Sequence, residues 1–243
     1  MKGFMKKQIL FFTLTMGMML QATAGLSYSY QGLGYSIPDG NDSGVFSTIV
    51  VNGANLSLSD ITVTLNVSDG YNGDLYAYLS YNGTLVTLLN RIGVGTSGGN
   101  GGTASGNSDA GFTIILGSSG TDVHTAANGA LAANGSYLAD GRNIDPSSSP
   151  VSFDAAGTQN LNGSYGGMDP NGTWTLFFAD VSGGGGTSTV NGWSLDITAV
   201  PEPVNVALAI FGVALLGTGV ARWCSSSTAA ASRTRTTDIS IHG

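Results

Sequence analysis

Alternation of apolar and polar side chains between residues 58 and 90 is the feature that most constrains the fold. In the segment LSDITVTLNV (58–67), the apolar positions are Ile61, Val63, Leu65 and Val67. The segment DLYAYLSYNGTLVTLLN (74–90) predicts two more strands joined at Asn82-Gly83, because an Asn-Gly pair between alternating runs is typical of a type I′ turn. A period of two indicates strands that bury one face.

Similar runs recur through the middle of the chain. They are FSTIVV (46–51), FTIIL (112–116), TWTLFFADV (173–181) and WSLDITAV (193–200), and one further short strand is expected at Val151–Phe153. The 38 glycines and the 9% of charged residues are typical of a loop-rich β chain. Since no amphipathic helix is available to cover a sheet, we expect an all-β, jelly-roll-like sandwich of about eight strands.

The strand phase also predicts which side chains form the core. They are Ile61, Val63, Leu65, Leu75, Leu79, Leu176, Phe178, Trp193 and Leu195. Two stretches, 93–109 and 117–167, lack the alternation and are rich in small polar residues. Loops of this length are often either functional or mobile, and the sequence leaves both open.

Residues 1–24 are expected to be a secretory signal peptide. Three lysines lie within the first seven residues, an apolar stretch covers 9–20, and Ala22 and Ala24 supply the small side chains that signal peptidase requires. The alternative is a retained membrane anchor, which an apolar stretch of about a dozen residues is too short to favour.

A second apolar run, 204–221, contains no charged residue and is followed by Arg222. Its length of about 18 residues is just sufficient to cross a bilayer as a helix, with a buried strand or core helix as the alternative. Most cations lie before the first apolar stretch or after the second, which favours a cytoplasmic tail at 223–243 and an exported domain at 25–200.

The domain at 25–200 is strongly acidic. It carries 13 aspartates against two arginines, which makes nucleic-acid binding unlikely because phosphates would be repelled. The one cysteine, Cys224, follows the second apolar run, so this domain has no disulfide and must be stabilised by its own core.

The domain resembles the P domain, also called the Homo B domain, of kexin-like and furin-like proteases. The matching segments are IPD (37–39), GVFSTIVV (44–51), LSDITVTLNVSDGYNGDLYAYLSYNGTLVTLL (58–89), NGTWTLFFAD (171–180) and NGWSLDI (191–197). The resemblance implies a β-sandwich from a family associated with subtilisin/kexin-type serine endopeptidases and proteolysis. There the module packs on and stabilises a catalytic domain. No such domain is recognisable in this sequence, so we expect the module to act alone or to bind a partner in trans, either a protease or a matrix polymer.

Residues 201–222 resemble the PEP-CTERM sorting signal. The matching positions are Pro201, Glu202 and Pro203, followed by the apolar run and Arg222 as the basic stop. The resemblance implies an exosortase-type membrane enzyme as partner. The protein would be held by a single-pass anchor in the inner membrane and then delivered to the outer surface or the extracellular matrix.

We expect no enzymatic activity, in spite of the protease association. A serine mechanism requires a positioned imidazole, and the only histidines are His124 and His242, the latter in the predicted cytoplasmic tail. The motifs Gly95-Thr96-Ser97 and Gly186-Thr187-Ser188 resemble a subtilisin-like nucleophile, but each lies in a glycine-rich loop without the rest of the protease. Because aspartates are numerous, their number alone does not exclude a pair of carboxylates that hydrolyses glycosidic bonds.

Calcium is the candidate cofactor. The segments DGNDSG (39–44) and DGYNGD (69–74) group oxygen donors with glycines, which is the composition that hard cations select. The candidate ligands are Asp39, Asp42, Asp69 and Asp74. The alternative is that these aspartates only form turns.

An alternative function is the binding of a carbohydrate or matrix polymer. The two long loops would provide the surface, and Tyr137 and Tyr165 are the tyrosines they offer.

Overall fold

The structure, a computed structural model, describes residues 24–52, 56–96, 104–131, 133–201 and 211–212. The named elements in these ranges are ten strands, two short α-helices and two 3₁₀ helices, at Asn72–Asp74 and Val123–Thr125. The strands are β1 (Ala24–Ile37), β2 (Asn41–Val51), β3 (Leu56–Ser68), β4 (Leu75–Tyr81), β5 (Thr84–Asn90), β6 (Phe112–Gly117), β7 (Thr121–Asp122), β8 (Gly135–Leu138), β9 (Gly172–Asp180) and β10 (Ser188–Pro201). The helices are α1 (Pro150–Ala155) and α2 (Leu161–Tyr165).

The strands form two sheets. One has six strands in the order β1-β10-β3-β6-β8-β7, and the other has four in the order β2-β9-β4-β5. Neighbours are antiparallel except for β8, which pairs in parallel with β6 and β7. The chain is therefore an all-β, two-sheet sandwich, as the alternation predicts.

The predicted core residues are confirmed. All nine are at most 2% exposed and belong to one cluster of buried side chains. The indole Nε1 of Trp193 on β10 donates to Oγ of Ser47 on β2 at 2.8 Å, so one hydrogen bond links the two sheets. The phase assigned to the strands from the sequence is correct.

The hairpin between β4 and β5 is also confirmed. Asn82 and Gly83 take φ of 47° and 77°, the left-handed values that a type I′ turn requires at both positions. The turn fixes the register, with Tyr81 opposite Thr84, and this register buries Leu79 and Val86 on the same face.

The strand expected at Val151–Phe153 is wrong, because these residues lie in helix α1. Pro150 occupies the first turn, where its missing N–H costs nothing, and the backbone N–H of Ser152 donates to the carbonyl of Ser149 at 2.8 Å. Phe153 is buried and stacks on His124 with ring centroids 5.5 Å apart. The apolar-polar-apolar order of Val151–Phe153 covers only three residues, which is too short to distinguish a strand from a helix.

Candidate functional site

Three carboxylates converge on the short stretch 182–184, which follows β9. Oδ1 of Asp180 accepts from the backbone N–H of Ser182 at 3.3 Å, and Oδ1 of Asp39 accepts from that of Gly184 at 3.0 Å. The side chain of Asp74 is hydrogen-bonded to the hydroxyl of Ser182. The site, here called the acidic end of the sandwich, therefore joins Asp39 and Asp74 of the predicted set with Asp180.

Asp74 and Asp180 are buried, at 4% and 0% exposed. Burial raises the pKa of Asp74, and the hydrogen bond from Ser182 and the charge of Arg91 only partly oppose it. Burial raises the pKa of Asp180 to about 6, and the negative charges of Asp74 and Asp39 act in the same direction. The two buried carboxylates therefore repel each other where little water screens them, and the exposed Asp39 adds to the repulsion.

Glycines allow the loops at the acidic end to approach closely. Gly40 has φ of 60°, and a Cβ there would lie 3.2 Å from Cα of Gly183. A Cβ on Gly73 would overlap the backbone of Asn107, whose carbonyl accepts from the Gly73 N–H at 2.7 Å. Gly73 therefore holds Asp74 against the segment 105–108 and a cavity of about 180 Å³.

Asp42 and Asp69, the other two predicted calcium ligands, are exposed. Asp69 has φ of 61°, and its backbone carbonyl accepts from the Ser188 hydroxyl, which is the behaviour of a turn residue. In the described ranges, no three His, Cys, Asp or Glu side chains gather closely enough to ligate one metal together.

His124 is the centre of a second polar cluster, and it is only 6% exposed. Nδ1 lies 2.7 Å from Oδ2 of Asp140, and Nε2 lies 2.8 Å from the carbonyl oxygen of Val94. Asp122, two residues before the histidine, accepts from the backbone N–H of His124 at 3.0 Å. Nε2, the atom that would take a proton from a serine, is therefore occupied by a carbonyl.

Arg142 completes this cluster. Its guanidinium lies 3.1 Å from Asp140 and 2.8 Å from Asp122. Burial lowers the pKa of His124, but the hydrogen bond and charge of Asp140 outweigh it, so the pKa is raised above its ordinary value. Both ring nitrogens face acceptors, which is the environment of a charged imidazolium.

The outer face of the four-stranded sheet carries an aromatic surface made of Phe46, Tyr76, Tyr78 and Phe177. The ring of Phe177 lies 4.8 Å from both Phe46 and Tyr78, and it is nearly parallel to Tyr78. Phe46 is 57% exposed. Period-two alternation predicts that these side chains point away from the core. It does not predict that three different strands bring them together into one surface.

The loop tyrosines expected to form a binding surface do not provide one. Tyr165 is fully buried and its hydroxyl donates to the carbonyl of Leu79 at 2.6 Å, while Tyr137 lies in β8 and is half-buried.

The predicted signal and sorting residues lie almost entirely outside the described residues. This is true of Ala22, Glu202, Pro203 and Arg222, while Ala24 begins β1 and Pro201 ends β10. Across the part of the chain that the structure describes, no helix is both long and apolar enough to cross a membrane. The predicted membrane run 204–221 lies almost wholly outside that part.

No known protein family and no curated protein matches the chain. Among solved structures, it is similar to a chain of the complex between Aeromonas sobria serine protease and its chaperone ORF2, with 16% identity and a TM-score of 0.42. It is also similar to the Aeromonas sobria serine protease alone, with 17% identity and a TM-score of 0.41. Each match covers 74% of this chain and 28% of the other, so this chain spans less than a third of the chains it resembles.

Proposed function

We propose that the protein is an exported surface or extracellular-matrix protein whose sandwich is a non-catalytic, jelly-roll-like module of the P/Homo B type. The order of features along the chain supports this. An export-type N-terminus precedes the sandwich, and β10 ends at Pro201, the first residue of Pro-Glu-Pro. The sorting motif thus begins where the last strand ends, and it continues into the apolar run and Arg222.

Glu202 is the only glutamate among the 15 acidic residues. Prolines on both sides favour an extended backbone and lack N–H donors, so we expect this carboxylate to be presented to its reader in an extended segment. An exosortase-type enzyme in the membrane is the proposed reader of that segment, and signal peptidase the proposed processor of the N-terminus. The protein would then move from the inner membrane to the cell surface or matrix.

The non-catalytic part of the proposal is supported by the state of His124. Its Nδ1 contacts Asp140 and its Nε2 contacts a backbone carbonyl, so both nitrogens stabilise the loops around it. A general base needs one nitrogen facing the nucleophile. The module would act through a partner, a protease or a matrix polymer, rather than by its own chemistry.

The sorting step can be tested by replacing Pro201, Glu202 and Pro203 with alanine and fractionating the producing cells. Retention in the membrane fraction is the expected result. Glu202→Gln is the matched variant, because it removes the charge and leaves the end of β10 unchanged. Release to the surface at the level of the unmodified chain in both variants would contradict the proposal.

A second candidate function, the binding of a carbohydrate polymer, is favoured by the aromatic surface. Sugar rings have C–H faces that pack on aromatic rings, and this surface carries no charged side chain, which suits a neutral polymer. Phe46→Ala and Tyr78→Ala should each weaken retention on insoluble polysaccharide by about threefold to tenfold.

Tyr30→Ala is the control for this experiment, because Tyr30 is 45% exposed on the other sheet. Equal retention of all the variants would remove the candidate.

A further inference from the structure

The acidic end of the sandwich contains a buried oxygen without a partner. Oδ1 of Asp180 accepts from the N–H groups of Gly40 and Ser182 at 3.4 and 3.3 Å. Oδ2 of the same carboxylate is fully enclosed, and no described residue hydrogen-bonds to it. A buried carboxylate oxygen left unpaired costs more than a normal hydrogen bond contributes, so a cation bound at this oxygen would stabilise the fold.

The charge around this oxygen is also uncompensated. Asp39 and Asp74 add two negative charges, and the nearest cation, Arg91, lies 4.0 Å from Asp74. The guanidinium of Arg91 donates hydrogen bonds to the carbonyls of Gly73, Ala104 and Pro146, and its contact with Asp74 is a longer ion pair. One arginine at that distance leaves a net charge of about −2 when all three carboxylates are ionised.

The surroundings provide oxygen donors and space. Asp74 lines the cavity of about 180 Å³, whose other polar lining includes Ser105, Asn107 and Ser182. The segment 183–186 consists of four glycines, so its carbonyl groups can turn towards a ligand without steric hindrance from side chains.

We propose that Asp74 and Asp180 bind a calcium ion, with Asp39 supplying further negative charge from the neighbouring loop. Two carboxylates leave most of the coordination to water and to backbone carbonyls, an arrangement common for calcium and compatible with the lack of a three-carboxylate cluster in the described residues. The donors are oxygens alone, which disfavours zinc and copper. The inference is independent of sorting and of the aromatic surface.

Thermal unfolding of the full chain, purified in mild detergent, tests the site. The probe is calcium chloride titrated up to about 10⁻² M, since extracellular calcium modules bind with a Kd of about 10⁻⁴–10⁻³ M. It is measured against EGTA and against sodium chloride of equal ionic strength. At a calcium concentration about ten times Kd, Tm should rise by about 3–5 °C. Equilibrium dialysis with calcium should show one site per chain.

The variants separate this site from the ligands predicted from sequence. Asp180→Asn keeps an oxygen for the N–H groups of Gly40 and Ser182 and removes the charge. It should raise Tm in EGTA and abolish the calcium response, and Asp74→Asn should also abolish it. Asp42→Asn, on an exposed neighbour of the same charge, should keep the full response.

Two results would overturn the proposal. If Asp180→Asn raises Tm while the unmodified chain ignores calcium and binds none in dialysis, Asp180 is a carboxyl that folding keeps protonated. If calcium stabilises Asp180→Asn and Asp74→Asn as much as the unmodified chain, the ion binds elsewhere. A variant that fails to fold leaves the other variant and the dialysis result to decide.

Discussion

Trp193 gives the most direct test of how the two sheets pack. It lies in the middle of β10, opposite Tyr30 on β1 and Leu65 on β3, and it is 1% exposed. Trp193→Ala removes the whole indole from a closed core, and it also deprives Ser47 of its inter-sheet hydrogen bond. We expect the free energy of unfolding to fall by about 3–5 kcal/mol, because the surrounding strands can close only part of such a cavity.

The measurement is urea unfolding followed by circular dichroism, since the substitution removes a fluorophore. Trp193→Phe is the matched control: it keeps an aromatic ring in the core and loses only the hydrogen bond and some volume, so it should cost about 1–2 kcal/mol. A loss under about 1 kcal/mol for Trp193→Ala would mean that the ring lies on the surface, and the strand phase would then be wrong.

Two further predictions concern His124. Its pKa is raised in the folded chain, so its contribution to stability is full below the unfolded pKa and is lost as pH rises through the folded pKa. The charges of Asp140 and Arg142 act on the His124 ring in opposite directions, and the charge of His124 lowers the pKa of Asp154. Tm measured across neutral pH should therefore fall on the alkaline side, and His124→Gln should flatten that fall; an equal slope in both chains would contradict the assignment. The full chain should also show no hydrolysis of denatured protein or fluorogenic peptides, with or without calcium. Activity that disappears in a folded His124→Ala chain would overturn the non-catalytic proposal.

Much of the fold could be predicted because most strands are buried on one face. In β3 and β4 burial alternates over seven residues, from Ile61 to Val67 and from Leu75 to Tyr81, and the buried positions are apolar or aromatic. β1 was not predicted as a strand, although it is 14 residues long. β1 is an edge strand, and its Tyr30 and Tyr35, opposite the buried Trp193 and Val190, are more than a third exposed. A bulge between Gln31 and Tyr35 also breaks the period.

The acidic end could be predicted only in part, because its members are far apart in the sequence. Asp39 and Asp180 are separated by about 140 residues and meet because β2 pairs with β9. From the sequence we instead grouped Asp39 with Asp42 and Asp74 with Asp69, because each pair lies within one glycine-rich turn. Asp180 ends a strand, and nothing in its immediate sequence distinguishes it from a turn former.

The segment 117–167 shows why a stretch without periodicity need not be a free loop. The chain at 139–144 is attached to β5 by polar groups: the side-chain amide of Asn90 donates to the carbonyls of Arg142 and Ile144 at 3.0 and 3.1 Å. Oδ2 of Asp140 accepts from the backbone N–H of Asn90 and lies within 2.7 Å of His124. Hydrogen bonds of this kind need one residue at one position and leave no repeating pattern. Because these polar groups bond only to partners at particular positions, the network that leaves no periodic pattern also holds the segment in one arrangement.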